Sequence, residues 1–205
     1  MPVVTGVLER RGRAKVFVDG EFWAELDLGV AAKRGLSEGV ALSHEELAEA
    51  RVAGERPLAM NRALHALGYR ARSKVELRER LSKVGYTRET VDAVVTRLEE
   101  LGYLDDGEFA RDLVRSEARK YGPRRIYGNL RRAGVEETVA QEAVEEEFAR
   151  RSEYQTALLA AQQRYNTKEG SDAQARRVYG FLMRRGYSAN VCAEIARKYR
   201  EEADE

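Results

Sequence analysis

Few residues of this chain have the types and spacing that enzymes use for catalysis. The two histidines, His44 and His65, lie 21 residues apart in different predicted helices. The single cysteine, Cys192, has no histidine near it in the sequence and cannot form an internal disulfide or a cysteine-based metal cage. No Gly-x-Gly-x-x-Gly, P-loop or His-Glu-x-x-His motif occurs. We therefore expect no catalytic residue, no metal and no cofactor, and Cys192 is interpreted as a small core residue.

The adjacent carboxylates Asp105 and Asp106 are the other candidate for chemistry, because paired acids can perform acid–base catalysis. A structural role explains them better. Asp105 together with Glu108 has the spacing of a capping box, in which a side chain accepts hydrogen bonds from the first amides of a helix. The spacing predicts that Asp105 caps a helix that begins at Asp106.

The distribution of basic residues is the strongest indication of function, because basic and acidic residues are concentrated in different segments of the chain. The whole sequence has a net charge of +1, from 36 basic and 35 acidic residues. Residues 111–132 nevertheless hold eight basic residues against two acidic ones, and residues 136–147 hold six glutamates and no base. Such segments create strong local fields on a nearly neutral molecule.

The arginines repeat at helical spacing on two of the predicted helices. Arg124 and Arg131 are about two turns apart and share one stripe, while Arg125 and Arg132 form the adjacent stripe. Both stripes lie away from the apolar line of the same helix. Candidate contact residues for a partner or for DNA are Arg78, Lys83, Arg115, Arg119, Lys120, Arg124, Arg125, Arg131, Arg132, Arg176, Arg177, Arg184 and Arg185.

Two interpretations of these arginines stay open at this stage. Exposed charge pairs contribute little to stability, so folding does not require arginine at equivalent positions of two helices. Binding of phosphates or of an acidic protein surface would explain arginine at these positions. The alternative is that these side chains form only a solvated helix face.

The first secondary-structure elements predicted from the N-terminus are β-strands. Residues 1–27 alternate apolar and polar residues on both sides of Asp19-Gly20, which is a strong hairpin signal. A short helix is expected over 28–34, and a capped helix over 44–53. Gly54–Pro57 are expected to end that helix and to separate residues 1–56 from the rest, so that a 57–205 fragment remains helical.

An internal repeat organises the remainder of the chain. The segments 124–135 and 176–187 align without gaps with seven identities in twelve positions, and 75–86 fits the same frame. Each segment has apolar residues at four-residue spacing, which predicts that it forms the middle helix of a three-helix unit. Glycine–tyrosine pairs are expected to end helices, with the tyrosine packing on the last turn. These pairs are Gly68-Tyr69, Gly85-Tyr86, Gly102-Tyr103 and Gly186-Tyr187.

The predicted fold is therefore mainly α: three tandem three-helix repeats in an elongated helical solenoid, preceded by a small β-rich segment. The expected limits are 1–56 for the strand-rich unit and 57–105, 106–150 and 151–205 for the repeats. No apolar run approaches the length of a membrane span, and the N-terminus lacks the features of a secretory signal. A cytoplasmic monomer is expected.

The segment GYLDDGEFARDLVRSEARKYGPRRIYGNLRRAGV, residues 102–135, resembles the RecX family of regulators of the RecA recombinase. Asp105-Asp106, Phe109-Ala110, Gly122 and Gly134 stand as the family pattern has them. Weaker similarity extends over about 57–200, and some members have a strand-rich N-terminal segment that looks like residues 1–55. In the third repeat, the expected first helix over 153–166 has no counterpart of the Asp-Asp motif.

The resemblance implies a non-enzymatic protein that lies in the groove of a RecA–DNA filament. Members generally curb ATP hydrolysis and strand exchange by the recombinase, in recombination, DNA repair and the SOS response. The expected partner is therefore the RecA filament, together with single- or double-stranded DNA. A stand-alone DNA-binding protein that uses the basic middle helices is the main alternative, and a scaffold with merely solubilising charges is a third.

Overall fold

A computed structural model describes residues 1–165 and 171–201. Two compact units divide the chain, unit 1 over residues 1–104 and unit 2 from residue 105 onward. Unit 1 contains β1 (Val4–Arg10), β2 (Arg13–Val18), β3 (Glu21–Asp27), α1 (Leu28–Lys33), α2 (His44–Tyr69), α3 (Lys74–Ser82) and α4 (Arg88–Glu100). Unit 2 contains α5 (Asp106–Glu117), α6 (Pro123–Arg132), α7 (Glu137–Arg150), α8 (Glu153–Gln162), α9 (Asp172–Arg184) and α10 (Ala189–Glu201).

The N-terminal strands form an antiparallel sheet in the order β1-β2-β3. Asp19 and Gly20 have φ values of 50° and 87°, which confirms the predicted tight turn. A second left-handed pair, Arg11 and Gly12, joins β1 to β2 with φ values of 52° and 76°. The helix expected over 28–34 is present as α1.

The expected end of the second helix at residues 54–57 is wrong. Helix α2 continues through Pro57 to Tyr69 and is 26 residues long. A proline inside a helix costs about 3 kcal/mol, so packing on both sides of it must favour continuation. Gly54 packs so closely on the sheet that a Cβ there would lie 2.8 Å from Cβ of Leu26. Beyond the proline, Ala59 is buried in the core of the first repeat.

The predicted mainly helical fold with three three-helix repeats is confirmed. Each repeat has its own apolar core, formed by the last part of α2 with α3 and α4, by α5–α7, and by α8–α10. The paired apolar positions of the three middle helices are fully buried at Leu77, Leu81, Ile126, Leu130, Val178 and Leu182. The last of the expected first-helix residues, at 166, lies outside the described residues.

In two of the repeats, a glutamate on the first helix binds the residue that precedes the third helix. In the first repeat, the Glu55 carboxylate accepts from the amide and the hydroxyl of Thr87 at 2.8 and 2.9 Å. In the third, Glu153 accepts from the amide and the hydroxyl of Ser188 at 2.6 and 3.1 Å. Glu55 therefore connects the part of α2 before residue 57 with the start of α4. The domain limits stay predictions, and the helix that crosses residue 56 makes a clean separation there less favourable.

The glycine–tyrosine pairs separate into two groups. Gly85, Gly102 and Gly186 have positive φ and end helices as expected. Gly68 does not, because α2 continues through it. Tyr187 is fully buried, whereas Tyr69 and Tyr103 are 85% and 60% exposed. The expectation that the tyrosines pack on the last turn is therefore wrong for Tyr69 and Tyr103.

Candidate functional site

The middle helices of the second and third repeats, α6 and α9, meet end to end in unit 2. The amide of Gly122 donates to the carbonyl of Arg185 at 2.8 Å, and the amide of Arg124 donates to the carbonyl of Gly186 at 3.1 Å. Gly122 is the N-cap of α6 and has no side chain to cap it. The carbonyls after α9 therefore satisfy amides that the start of α6 would otherwise leave without partners. We call this contact the joint.

Two glycines make the joint possible. A Cβ on Gly122 would lie 2.5 Å from the carbonyl carbon of Gly186, and a Cβ on Gly186 would lie 2.4 Å from Cβ of Arg125. The corresponding N-cap of the first repeat is Ser73, whose hydroxyl accepts from the amide of Glu76 at 3.1 Å. Sequence reasoning identified Gly186 as a helix stop but missed the close approach at Gly122. The only available signal was a glycine at a position where the first repeat has a capping serine.

Two of the predicted contact arginines bridge the joint. Arg125 donates to the carbonyl of Arg184 at 3.4 Å, and its guanidinium carbon lies 3.9 Å from the ring centroid of Tyr121. Arg185 donates to the carbonyl of Lys120 at 3.0 Å. Each arginine thus binds a backbone oxygen of the other repeat. Their first role is to stabilise the joint.

Two further predicted arginines occupy the end of α6. Arg131 donates to the carbonyl of Val135 at 2.9 Å, and Arg132 donates to the carbonyl of Gly128 at 3.2 Å and to the side chain of Asn129. Both side chains are exposed, as expected. Cations at a helix C-terminus also interact favourably with the helix dipole. Both arginines therefore have a local structural role as well as an exposed charge.

Six of the remaining basic candidates of unit 2 form no ion pair with the residues that the structure describes. Within residues 1–165 and 171–201, no ion pair forms to the exposed side chains of Arg119, Lys120, Arg124, Arg176, Arg177 and Arg184. We call these six residues the unpaired cations. Lys120, Arg124 and Arg184 take part in the joint through their backbones, so the joint brings cations of two repeats together. Uncompensated positive charge of this kind is suited to bind anions.

A groove between α9 and α10 adds two arginines that sequence reasoning missed. It has a volume of about 390 Å³, and Arg176, Arg197, Arg200 and Tyr179 line it together with Asp172. Arg197 and Arg200 lie on α10, outside the repeated segment that revealed the other arginines. The positive surface of the third repeat therefore extends onto its last helix.

The other predicted contact residues are paired within their own repeats. Arg115 lies 3.3 Å from Asp112, Arg78 lies 3.2 Å from Asp92, and Lys83 lies 4.0 Å from Glu79. Exposed pairs of this kind are weak, so they leave the side chains available to a partner. Arg78 and Lys83 lie in unit 1, whereas the joint lies in unit 2.

The residues considered for catalysis have structural explanations. Asp105 accepts from the amides of Gly107 and Glu108 at 2.7 and 2.9 Å, which confirms it as a helix cap. Cys192 is fully buried, and burial raises the pKa of its thiol to about 11. His44 and His65 are both exposed. Among the described residues, no helix is long and apolar enough to cross a membrane.

The fold and this surface define a protein of tandem three-helix domains whose exposed chemistry is cationic. Family models of the first, second and third three-helix domains of RecX match residues 59–98, 105–144 and 152–196. These matches span more than half of the chain. The chain belongs to the RecX family.

Curated relatives carry the name regulatory protein RecX. The chain is 33% identical to the protein of Lactobacillus gasseri over 150 residues, which are 71% of this chain and 55% of that protein. It is 27% identical to the protein of Bacillus subtilis, with 100% of this chain and 80% of that protein covered. The chain thus spans little more than half the length of the L. gasseri relative.

Two crystal structures of RecX proteins share the fold. One covers 100% of both chains with a TM-score of 0.63 and 22% sequence identity. The other, from Lactobacillus salivarius, covers 71% of this chain and 96% of its own, with a TM-score of 0.62 and 19% identity.

Proposed function

We propose that this chain is a non-enzymatic regulator, and more specifically an inhibitor, of the RecA recombinase. It would bind in the groove of the RecA–DNA filament and slow ATP hydrolysis and strand exchange during recombination and DNA repair. Membership of the RecX family, whose curated members are named regulatory proteins, is the observation that carries this proposal.

The joint suggests how the protein would engage a filament. A filament repeats the same surface at regular intervals, and a protein of tandem repeats can contact several subunits at once. Linked contacts add through effective concentration, so individually weak contacts give useful affinity. The unpaired cations of two adjoining repeats supply such contacts toward acidic side chains or DNA phosphates.

Regulation by binding accounts for the chain better than catalysis does. The paired carboxylate Asp105 is a helix cap, and the buried Cys192 thiol has a raised pKa. The chain would act as a cytoplasmic monomer on a partner that supplies the ATPase. It would need no cofactor of its own.

The decisive measurement is ATP hydrolysis by RecA on single-stranded DNA, with and without the chain. We expect the rate to fall as the chain is added. A titration with excess single-stranded DNA serves as the internal control. If the chain acts on the filament, extra DNA leaves the inhibition in place. If inhibition disappears with extra DNA, the chain sequesters DNA and the stand-alone DNA-binding function is correct. An unchanged rate and an unchanged filament lifetime would remove the proposed function.

A further inference from the structure

A second basic region lies in unit 1, and none of the predicted contact residues lines it. An open cleft of about 580 Å³ separates the β1–β2 turn from helices α2 and α3. Arg11 and Arg13 reach it from the β1–β2 hairpin, Arg62 from α2 and Arg80 from α3. Four guanidinium groups from three separate elements thus line one cavity.

Little negative charge offsets these arginines. The one carboxylate that lines the cleft, Asp27, is the N-cap of α1 and accepts from the amide of Val30 at 3.0 Å. Arg13 forms an exposed ion pair with Glu25 at 3.2 Å. Within the described residues, Arg11, Arg62 and Arg80 form no ion pair.

Clustered like charges disfavour the folded state unless a ligand or a fold requirement compensates them. The packing does not require these guanidinium groups, because Arg11, Arg62 and Arg80 are exposed. These exposed charges are therefore available to an anion that enters the cleft.

Three other lining residues, Asn61, His65 and Tyr86, have side chains that can donate hydrogen bonds to phosphate. Asn61 and His65 lie on the same helix as Arg62 and face the same cleft. Burial raises the pKa of Tyr86, while the charges of Arg62 and Arg13 act in the opposite direction. The Tyr86 phenol is consequently protonated at neutral pH and able to donate. Arginine forks match the geometry of phosphate oxygens.

The cleft continues along the hairpin, which favours a polymeric ligand. An adjoining depression shares Arg11 and Arg13 with the cleft and adds Arg10, Lys15 and the carboxylate of Glu25. Six basic side chains and two carboxylates therefore line the two cavities. A single phosphate needs only one or two of them, whereas a nucleic-acid strand presents a phosphate at every nucleotide.

We propose that this cleft binds the phosphate backbone of a nucleic-acid strand, and that unit 1 thereby holds a DNA contact separate from the basic surface of unit 2. This inference does not depend on the proposed action on RecA, since it concerns DNA binding by the chain alone.

The test is the affinity of the full chain for a fluorescent single-stranded oligonucleotide, measured by anisotropy at several salt concentrations. The double variant Arg62→Gln/Arg80→Gln removes two cleft charges. We expect about tenfold weaker binding from the loss of two charge contacts. The log–log salt slope should fall by about 0.7 for each lost phosphate contact, or about 1.4 for two.

The matched control is Arg56→Gln/Arg88→Gln, which removes the same charge from exposed arginines of unit 1 that do not line the cleft. Its affinity should stay within about twofold of the parent, as expected for charges that make no contact. Far-UV circular dichroism and the unfolding midpoint confirm that both variants fold. If both double variants lose affinity equally, or if the cleft variant binds as tightly as the parent, the proposal is overturned.

Competition separates phosphate from acidic protein as the ligand. Polyphosphate should displace the oligonucleotide at lower charge concentration than poly-glutamate does. Equal displacement by the two polymers would overturn the phosphate assignment in favour of an acidic protein surface. The ATP hydrolysis assay is independent of this outcome, so failure of the RecA proposal leaves the cleft testable by itself.

Discussion

At the scale of single residues, the absence of a side chain decides whether α6 and α9 can approach each other. Gly122 has φ −81°, a value that any residue adopts, so its glycine is required only by space. Gly186 combines a φ of +83° with the same close contact. The joint therefore depends on the absence of two side chains.

Gly122→Ala should destabilise the protein by roughly 1–3 kcal/mol, because the added methyl overlaps the Gly186 carbonyl. Gly128→Ala is the matched control on the same helix, since a Cβ there meets nothing within 4 Å. Alanine favours helix, so the control should be neutral or stabilising by up to about 1 kcal/mol. Urea unfolding of both variants tests this. Equal stability of the two would mean that the repeats do not meet at Gly122.

Asp105→Ala should lower the free energy of unfolding by roughly 1 kcal/mol, because the first amides of α5 lose their acceptor. Asp105→Asn keeps an acceptor and should keep most of the stability. Filament binding by the folded protein should not change in either variant. Loss of binding at full thermal stability would identify Asp105 as a contact residue instead.

Alkaline pH should destabilise the third repeat. Burial raises the pKa of Cys192 to about 11 and that of Tyr187 to about 12, from ordinary values of 9.0 and 10.0. The unfolded chain therefore releases both protons at lower pH than the folded chain does. Their contribution to stability is complete below about pH 9 and falls as the pH rises toward 11 and 12.

The measurement for that prediction is the thermal unfolding midpoint between pH 7 and 11. Tyr187→Phe should make the alkaline decline shallower, because it removes one of the two titrating groups. Tyr103→Phe, at an exposed tyrosine, is the control and should keep the slope of the parent. A Tyr187→Phe slope that equals the parental slope would contradict the assignment.

At the scale of elements, α2 joins the sheet to the first repeat. Its first half packs on β3 through Gly54 and its second half lies in the helical core through Ala59. Glu55 links α2 to the start of α4 through Thr87. A fragment that begins at residue 57 would lack this acceptor and half of α2.

Glu55→Ala should destabilise unit 1 by about 1–3 kcal/mol, because the amide and the hydroxyl of Thr87 lose a buried partner. Glu49→Ala, on the same helix with its side chain 63% exposed, is the control and should change stability by less than about 0.5 kcal/mol. The thermal unfolding midpoints of both variants test this difference in stability. If the two variants have equal midpoints, the first half of α2 does not support the first repeat.

At the scale of the whole molecule, a nearly neutral chain carries two basic regions. Unit 1 has the cleft beside the hairpin, and unit 2 has the unpaired cations, three of which take part in the joint. The net charge of +1 gives no sign of either region, because 35 acidic residues balance the 36 basic ones over the whole chain.

Reversing Arg124 and Arg177 to Glu should shift the concentration needed for half-inhibition of RecA upward by about tenfold, as repulsion replaces attraction at two contacts. Arg97→Glu/Arg150→Glu reverses two exposed arginines outside the candidate surface and should shift it by less than twofold. Helicity should be preserved in both.

Affinity for naked DNA then identifies the ligand of these arginines. A weaker and less salt-dependent DNA affinity would point to phosphates, and an unchanged one to acidic side chains of the recombinase. If Arg124→Glu/Arg177→Glu retains both DNA binding and inhibition, these cations form only a solvated face.

Local pattern alone determined the fold class. Left-handed glycines, capping boxes and four-residue apolar spacing act within one or two helical turns, so the hairpin, the Asp105 cap and the three middle helices followed from the sequence. The repeat then placed Arg124, Arg125, Arg131 and Arg132 on an exposed face, because apolar residues take the opposite side.

Only the tertiary structure decided which of the predicted contact arginines also bind other parts of the protein. Arg125 and Arg185 bind carbonyls 59 and 65 residues away in sequence. Arg62 and Arg80 line one cleft with Arg11, and Arg62 lies on the part of α2 that continues past Pro57, where the local signal predicted a break. Burial of Gly54 and Glu55 outweighed the local cost of the proline, and such a balance between distant packing and local propensity cannot be read from a sequence window.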